Sequence, residues 1–328
     1  MKASLFTRAM VREFGNIEDI LRLEQAELPE LAAGQVRVKM SFATINPSDL
    51  ITIAGAYRSR IALPFVPGFE GVGSICQSGD PALAVGQRVL PVGSMGAWQN
   101  YKDSDAQWCF PLPDFVSDRQ AATGYVNPMT ALLMLKEELD FTPGMRIIIN
   151  AANSAIGKML IRIANHMGLE PIVIVRKAEN LPLLAGYATE QRLNSSAAGY
   201  PQALAALQRS GGVAAIFDCI GGEESLTLAG ALAPGGQFIH YGLLSGQPIP
   251  PAFWRSRPDI RFSHFHLRQW VHGREKAGVQ SKIDEVMALI GDGVIATGIA
   301  AEYALTEIDK AVAAVKSGQL KGKILLRL

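Results

Sequence analysis

The stretch Arg146-Ile147-Ile148-Ile149-Asn150-Ala151-Ala152-Asn153-Ser154-Ala155-Ile156-Gly157 decides how the chain is read. Three consecutive isoleucines, apolar and β-branched, are the pattern of a strand buried on both faces. Small residues follow, and Ile156–Met167 then carries helical periodicity up to Gly168, a residue suited to the left-handed end of a helix. Strand, tight turn and helix N-terminus in that order form a dinucleotide-binding corner, where free backbone N–H groups face a pyrophosphate. As a glycine fingerprint the turn is degraded. Only Gly157 survives, at the position that lets helix and strand pack closely. Ala152 and Ala155 are small enough to let a phosphate approach, and Asn153 and Ser154 add side-chain donors. On this motif alone an ordinary strand–turn–helix stays open.

Downstream, strands at Pro171–Arg176, Val213–Cys219 and Gln237–Tyr241 are separated by helices at Pro201–Arg209 and Glu223–Leu232. Apolar strands alternating with helices indicate an α/β, doubly wound parallel sheet of the Rossmann type. Nineteen residues after Gly157 stand Arg176 and Lys177. An NAD site carries a carboxylate at the end of this strand, whereas two cations pair with a 2′-phosphate, so NADPH is expected over NADH. A solvated Arg-Lys pair is the plainer alternative. Later strand ends, Gly221-Gly222 after Asp218-Cys219-Ile220 and then Tyr241-Gly242, offer backbone to the nicotinamide half.

Upstream, the first 115 or so residues are rich in strands and turns. In Gln35–Ile45, the residues Val36, Val38, Met40 and Phe42 alternate as one face of a strand. Shorter strands are expected at Val72–Cys76 and Arg88–Val92, and Asn46–Gly73 reads as a long ordered loop. Ser117 and Gln120 form a capping box opening a helical stretch to about Asp140, with a break at Asn127-Pro128. After His264, helices at Ser281–Ile290 and Leu305–Lys316 precede a strand at Lys323–Leu328, which is assigned to the N-terminal domain. The expected domains are 1–120 catalytic, 121–264 NADPH-binding, and 265–328 returning to the catalytic domain.

With 328 residues the chain is long enough for two cores. Apolar residues make up 48% and charged residues 19%, so it is not disordered. A net charge of +1 without basic runs argues against nucleic acid or an acidic membrane as partner. No apolar run reaches the length of a membrane span. Met1 to Arg12 lacks a secretory pattern, and Cys76, Cys109 and Cys219 suit a reducing compartment, so a cytoplasmic protein is expected. The five histidines (His166, His240, His264, His266 and His272) all lie in the second half, and Cys76 and Cys109 lack neighbours at ligand spacing. No metal, and specifically no zinc, is therefore expected. His264 and His266 alternate on one expected strand, as a structural pair or facing the cofactor.

Ile45-Asn46-Pro47-Ser48-Asp49, Val66-Pro67-Gly68-Phe69-Glu70-Gly71-Val72, Val126-Asn127-Pro128-Met129-Thr130-Ala131 and Asn150 to Gly157 together resemble the medium-chain dehydrogenase/reductase superfamily. Within it they look most like the zinc-free 2-enoyl thioester reductases, with quinone oxidoreductases as the neighbouring branch. The resemblance implies a GroES-like catalytic domain, NADPH as hydride donor, a homodimer and a cleft between the domains. It implies Tyr57 as proton donor, in the loop after Asn-Pro-Ser-Asp. Cofactor contacts would map onto Asn46, Asn127, Thr130, Asn153, Ser154, Ala155, Ile156, Arg176, Lys177, Gly221, Tyr241, Gly242, Leu243, Phe265, His266, Leu267 and Lys323. Trp98 would be structural. Ala155 stands where the family usually has glycine, and Phe69 replaces a polar residue. Arg58 and Arg60 make the flank of Tyr57 basic, either as solvated side chains or as contacts for an anionic substrate such as a CoA or carrier-protein phosphate.

The expected activity is reduction of the C=C bond of an enoyl-CoA or enoyl-carrier-protein thioester. The alternatives are a quinone or enone reductase, and a non-catalytic NADPH-binding protein.

Overall fold

Short alternating segments punctuated by Gly and Pro build the first part of the chain, and the computed structural model describes residues 5–328. The Met1–Arg12 reading therefore lies partly outside the described residues. Seven strands come first: β1 Leu5–Met10, β2 Arg22–Glu27, β3 Gln35–Thr44, β4 Gly71–Ser78, β5 Arg88–Pro91, β6 Tyr101–Asp105 and β7 Cys109–Pro111. Two short helices, α1 Ile17–Ile20 and α2 Pro47–Ile53, interrupt them. Helix α2 lies inside the segment expected to be loop. Its start is local chemistry: Asn46 and Asp49 form a capping box and Pro47 occupies the first turn, where no N–H is required.

Strand β3 does not keep the simple alternation expected of it. Register shifts at Arg37/Val38 and Met40/Phe42 bring Arg37 into the buried set and leave Phe42 half-buried. Arg37 tolerates this because Asp103 on β6 takes its guanidinium through two 2.7 Å hydrogen bonds.

The helical stretch beginning at Ser117 opens with the expected capping box but breaks earlier than expected. Helix α3 spans Asp118–Ala121 and α4 spans Val126–Leu133, followed by a π-helical turn, Met134–Glu138. Pro128 sits in the first turn of α4, where a missing N–H costs nothing, so Asn127-Pro128 continues the helix.

Six parallel strands follow: β8 Arg146–Ile149, β9 Glu170–Val175, β10 Gln191–Asn194, β11 Val213–Asp218, β12 Leu232–His240 and β13 Arg261–His264. They pair in the order β10-β9-β8-β11-β12-β13. The chain runs outward from β8 to β10, returns to β11 beside β8, and runs outward again. The reversal between β8 and β11 is the switch point of a doubly wound sheet, at whose carboxyl ends ligands bind in such folds. The connecting helices are α5 Ala155–His166, α6 Tyr200–Arg209, α7 Gly222–Ala229 and α8 Pro251–Ser256. Helix α7 stops at Ala229, short of the expected Leu232, which already belongs to β12. Ile147, Ile148 and Ile149 are fully buried, and each such side chain contributes about 1.5–3 kcal/mol.

The remainder comprises α9 Leu267–His272, α10 Lys276–Gly291, β14 Ile299–Ala304, α11 Ile308–Ser317 and β15 Lys323–Arg327. Strand β15 pairs antiparallel with β3 and parallel with β14, so the chain end belongs to the sheet of the first part, as expected. Leu305, Ile308 and Leu326 share a core with Val36, Val38 and the fully buried Trp98. Two compact units result: residues up to Val126 together with Arg268–Leu328, and Asn127–Leu267.

Candidate active site

In the parallel-sheet unit β8 passes through a tight turn into α5, the layout of a dinucleotide-binding corner. Ala151 adopts a positive φ of 45°. Ser154 caps α5, its Oγ accepting the N–H of Gly157 at 3.0 Å. A Cβ on Gly157 would lie 2.8 Å from backbone atoms of Ala151 and Ala152, so only glycine lets the helix approach the strand this closely. Asn153, Ser154 and Ile156 are half-buried and Ala155 is exposed at the helix start. Just beyond β9, Arg176 and Lys177 are both exposed. Lys177 lies 3.3 Å from Glu179, whereas Arg176 has no hydrogen bond or ion pair among the described residues. An uncommitted guanidinium at this strand end and an open helix N-terminus suit a phosphorylated dinucleotide.

At the switch point lies a buried polar cluster that the sequence reading did not assign. Asn150, directly after β8, donates from Nδ2 to Asp218 Oδ1 at 2.5 Å and accepts the Cys219 N–H at 3.0 Å. Asp218 ends β11 and also accepts from Ser225 Oγ at 2.6 Å and from the Ile220 N–H at 2.9 Å. Its Oδ2 lies 2.8 Å from His240 Nδ1. Burial works to raise the Asp218 carboxyl. The bonds from His240, Ser225, Ile220 and Asn150 outweigh it and hold the group below its ordinary value. An ionised carboxylate only accepts, so the His240 Nδ1 carries a proton. The visible signal was a polar residue at each carboxyl strand end, Asn150, Asp218 and His240, but their pairing required the sheet order.

This cluster ties several expected cofactor residues together. The Tyr241 N–H donates to the Asp218 carbonyl at 2.9 Å, and the Phe265 N–H donates to the His240 carbonyl at 2.8 Å. Gly221, at φ 75°, has no room for a Cβ, which would meet the Gln247 backbone oxygen at 2.8 Å. Gly242 packs on Cys219, Leu243 is exposed, Phe265 is buried, and Leu267 opens α9. Burial pushes the Cys219 thiol up to about 12 and the neighbouring Tyr241 phenol well above its usual range, so both are neutral. His264 ends β13, but His266 lies past the strand, so the expected alternation of the two on one strand does not exist. Instead, His264 pairs in register with His240, the rings 5.6 Å apart. Asn127 is half-buried and Thr130 buried on α4.

The β-rich unit holds the remaining candidates. Tyr57 is half-buried on the turn after α2, with the Arg60 guanidinium 4.7 Å from its ring centroid. Asn46 and Lys323 are buried and bound to each other: Lys323 Nζ donates to Asn46 Oδ1, and Asn46 Nδ2 donates to Glu70 Oε1 at 2.9 Å. The family resemblance implies a cofactor contact for each of them; in the structure both are held in this network. Glu70 also accepts from Thr44 at 2.8 Å and from the Val126 N–H at 2.6 Å. Asp49 accepts the N–H groups of Asn46 at 2.7 Å and Phe69 at 3.0 Å. Burial, with Glu70 nearby, pushes its carboxyl up to about 7 against those bonds and Lys323. Trp98 is structural, donating from Nε1 to the Thr44 carbonyl at 2.9 Å. Among the described residues, no three His, Cys, Asp or Glu side chains gather as a metal-holding group.

Residues 32–114 match the family model described as alcohol dehydrogenase GroES-like domain, and residues 196–326 match that of zinc-binding dehydrogenase. The enoyl-[acyl-carrier-protein] reductase, mitochondrial, of Caenorhabditis elegans is 33% identical over 80% of this chain and 78% of its own length. The chain belongs to the medium-chain dehydrogenase/reductase superfamily. It is an oxidoreductase of that superfamily. A crystal structure titled putative NADPH:quinone reductase, from Bacillus thuringiensis, is 31% identical and superposes with a TM-score of 0.94, covering 99% of this chain and 100% of that one. Escherichia coli quinone oxidoreductase complexed with NADPH, 20% identical over 98% of this chain and 100% of its own with a TM-score of 0.89, shares the fold. No helix among the described residues of this superfamily member is long and apolar enough to cross a membrane.

Proposed function

We propose that the protein reduces the C=C bond of a 2-enoyl thioester with NADPH, and that Tyr57 delivers the proton. The observation that carries this reading is the half-buried Tyr57 phenol on the turn after α2, in a chain whose relatives include several enoyl-[acyl-carrier-protein] reductases.

The turn from Asn153 to Ile156 and the N-terminus of α5 bind the pyrophosphate, and Arg176 with Lys177 takes the 2′-phosphate. Gly221, Tyr241 to Leu243 and Phe265 to Leu267, held at the strand ends by the Asp218 cluster, orient the nicotinamide half. Asn127 and Thr130 on α4 complete that set. Asn46 and Lys323 act through the Glu70 network, which keeps α2 in place beneath Tyr57. NADPH, when bound, supplies the hydride that reaches the β-carbon. The chain's own part is to stabilise negative charge on the thioester carbonyl oxygen and to protonate the α-carbon, and a phenol O–H is a proton donor that can serve as that acid. The reading assigns no role to zinc, and a homodimer is part of it.

NADPH consumption with crotonyl-CoA, a longer enoyl-CoA and a simple quinone tests it. Turnover is expected with the thioesters. Tyr57→Phe should lower kcat by about 10²-fold or more, the usual scale of acid catalysis, while NADPH affinity changes less than twofold. Full activity of that variant removes Tyr57 from the mechanism. A quinone reductase is the second reading, favoured by the likeness to the Bacillus thuringiensis quinone reductase structure, and turnover with quinone alone would establish it. Failure with every acceptor leaves a non-catalytic NADPH-binding protein.

A further inference from the structure

The turn that carries Tyr57 also carries Arg58 and Arg60, both exposed. Several other arginines are committed to carboxylates: Arg37 to Asp103, Arg88 to Asp118, Arg119 to Glu302 and Arg257 to Asp259. Arg58 and Arg60 have no carboxylate partner among the described residues. They are nevertheless held in place. Arg58 Nε donates to the Gly55 carbonyl at 3.2 Å, which leaves the two terminal nitrogens of its guanidinium uncommitted. Arg60 lies over the Tyr57 ring, its Cζ 4.7 Å from the centroid. Arg58 and Arg60, on one turn and without a carboxylate partner, offer N–H donors of the kind that bind phosphate through paired charge-assisted hydrogen bonds.

We infer that Arg58 and Arg60 recognise the phosphate of a phosphorylated pantetheine thioester and so determine which form of the acyl substrate reaches Tyr57. The inference rests on the enoyl-thioester reading and names the part of that substrate distant from the reacting carbons. The shared chemistry is a pantetheine arm ending in phosphate, whether as free CoA or on a carrier protein. Binding energy from this end lowers KM without entering the chemical step.

The test compares wild type with the charge-free double variant Arg58→Gln/Arg60→Gln on crotonyl-CoA, crotonyl-carrier protein and the phosphate-free crotonyl-pantetheine. The expected result is a KM for crotonyl-CoA raised about tenfold with kcat within twofold, and an unchanged kcat/KM for crotonyl-pantetheine. Raising salt from 0.05 to 0.5 M should weaken crotonyl-CoA in wild type but not in the variant. A like loss on carrier protein extends recognition to both sources, and a loss on CoA alone restricts it to the free thioester. Equal losses with and without phosphate would show that the arginines merely hold the turn and overturn the inference, as would no loss at all. Titration of the NADP⁺-saturated protein with CoA separates the two readings. If wild type turns over no thioester, the proposed reaction fails, whereas equal CoA affinity in wild type and variant defeats the arginine–phosphate contact by itself.

Discussion

On the proposed reading, Arg176 takes the 2′-phosphate of the cofactor. It is exposed at the end of β9 and uncommitted among the described residues, while Lys177 beside it faces Glu179. An exposed Lys–Glu pair is worth little, so Lys177 is readily drawn to a phosphate. Replacing both by alanine should raise the Kd for NADPH by about tenfold to a hundredfold and leave NADH nearly unchanged, because hydrogen bonds to charged groups contribute about 1.5–3 kcal/mol. Titration followed by reduced-nicotinamide fluorescence measures both. Equal weakening of the two cofactors would place these residues outside the 2′-phosphate site. The place of this exposed cation pair just beyond β9 was legible from the sequence, since a strand end about twenty residues beyond the turn has one place in such a fold. The Asp218 cluster was not. Asn150 and Asp218 are 68 positions apart, and neither belongs to a local pattern that announces a partner.

At the scale of elements, the junction of β8 and α5 depends on Gly157. The atoms that an added Cβ would meet are backbone atoms of Ala151 and Ala152, which cannot swing away as a flexible side chain would. Gly157→Ala should therefore destabilise the protein by about 1–3 kcal/mol despite alanine's better helix propensity, and it should weaken NADPH binding by displacing the turn. Urea unfolding alongside cofactor titration tests both effects, and a stabilised variant would contradict the packing argument. The types of β8, β9, β11, β12, α5, α6 and α7 followed from periodicity, because a parallel strand is apolar throughout and a covering helix is apolar on one stripe, whereas β10 and α8 did not. The less legible elements were short. Helix α2 spans Pro47–Ile53 and was concealed by the density of Pro and Gly around it, although Asn46, Pro47 and Asp49 are a complete helix start. The break before α4 is misplaced from sequence because a proline reads as an interruption, whereas Pro128 is a first-turn residue.

At the scale of the whole molecule, the chain leaves the β-rich unit and returns to it, and the Glu70 network joins its two ends: Asn46 and Lys323 are 277 positions apart. Asp49 gives this network a pH signature. Its carboxyl is raised to about 7 in the fold by burial and by Glu70, so the folded protein takes up a proton at higher pH than the unfolded chain. That contribution to stability is full below the unfolded value of about 4 and is lost as pH rises through about 7. Between pH 5 and 8 the urea midpoint should decline in wild type, and Asp49→Asn, which cannot ionise, should flatten the decline. An equally steep decline in the variant would assign the effect to another group.

The sequence by itself determined the doubly wound sheet, the tight strand–turn–helix corner at Gly157 and the cations after β9, because periodicity and strand-end position are local properties of the chain. Only the tertiary structure decided that Asn46 and Lys323 bind each other, that Asn150, Asp218 and His240 meet at the switch point, and that Arg60 lies over the Tyr57 ring. Buried polar groups must find partners wherever the fold provides them, and those partners come from strands adjacent in the sheet but distant in the chain.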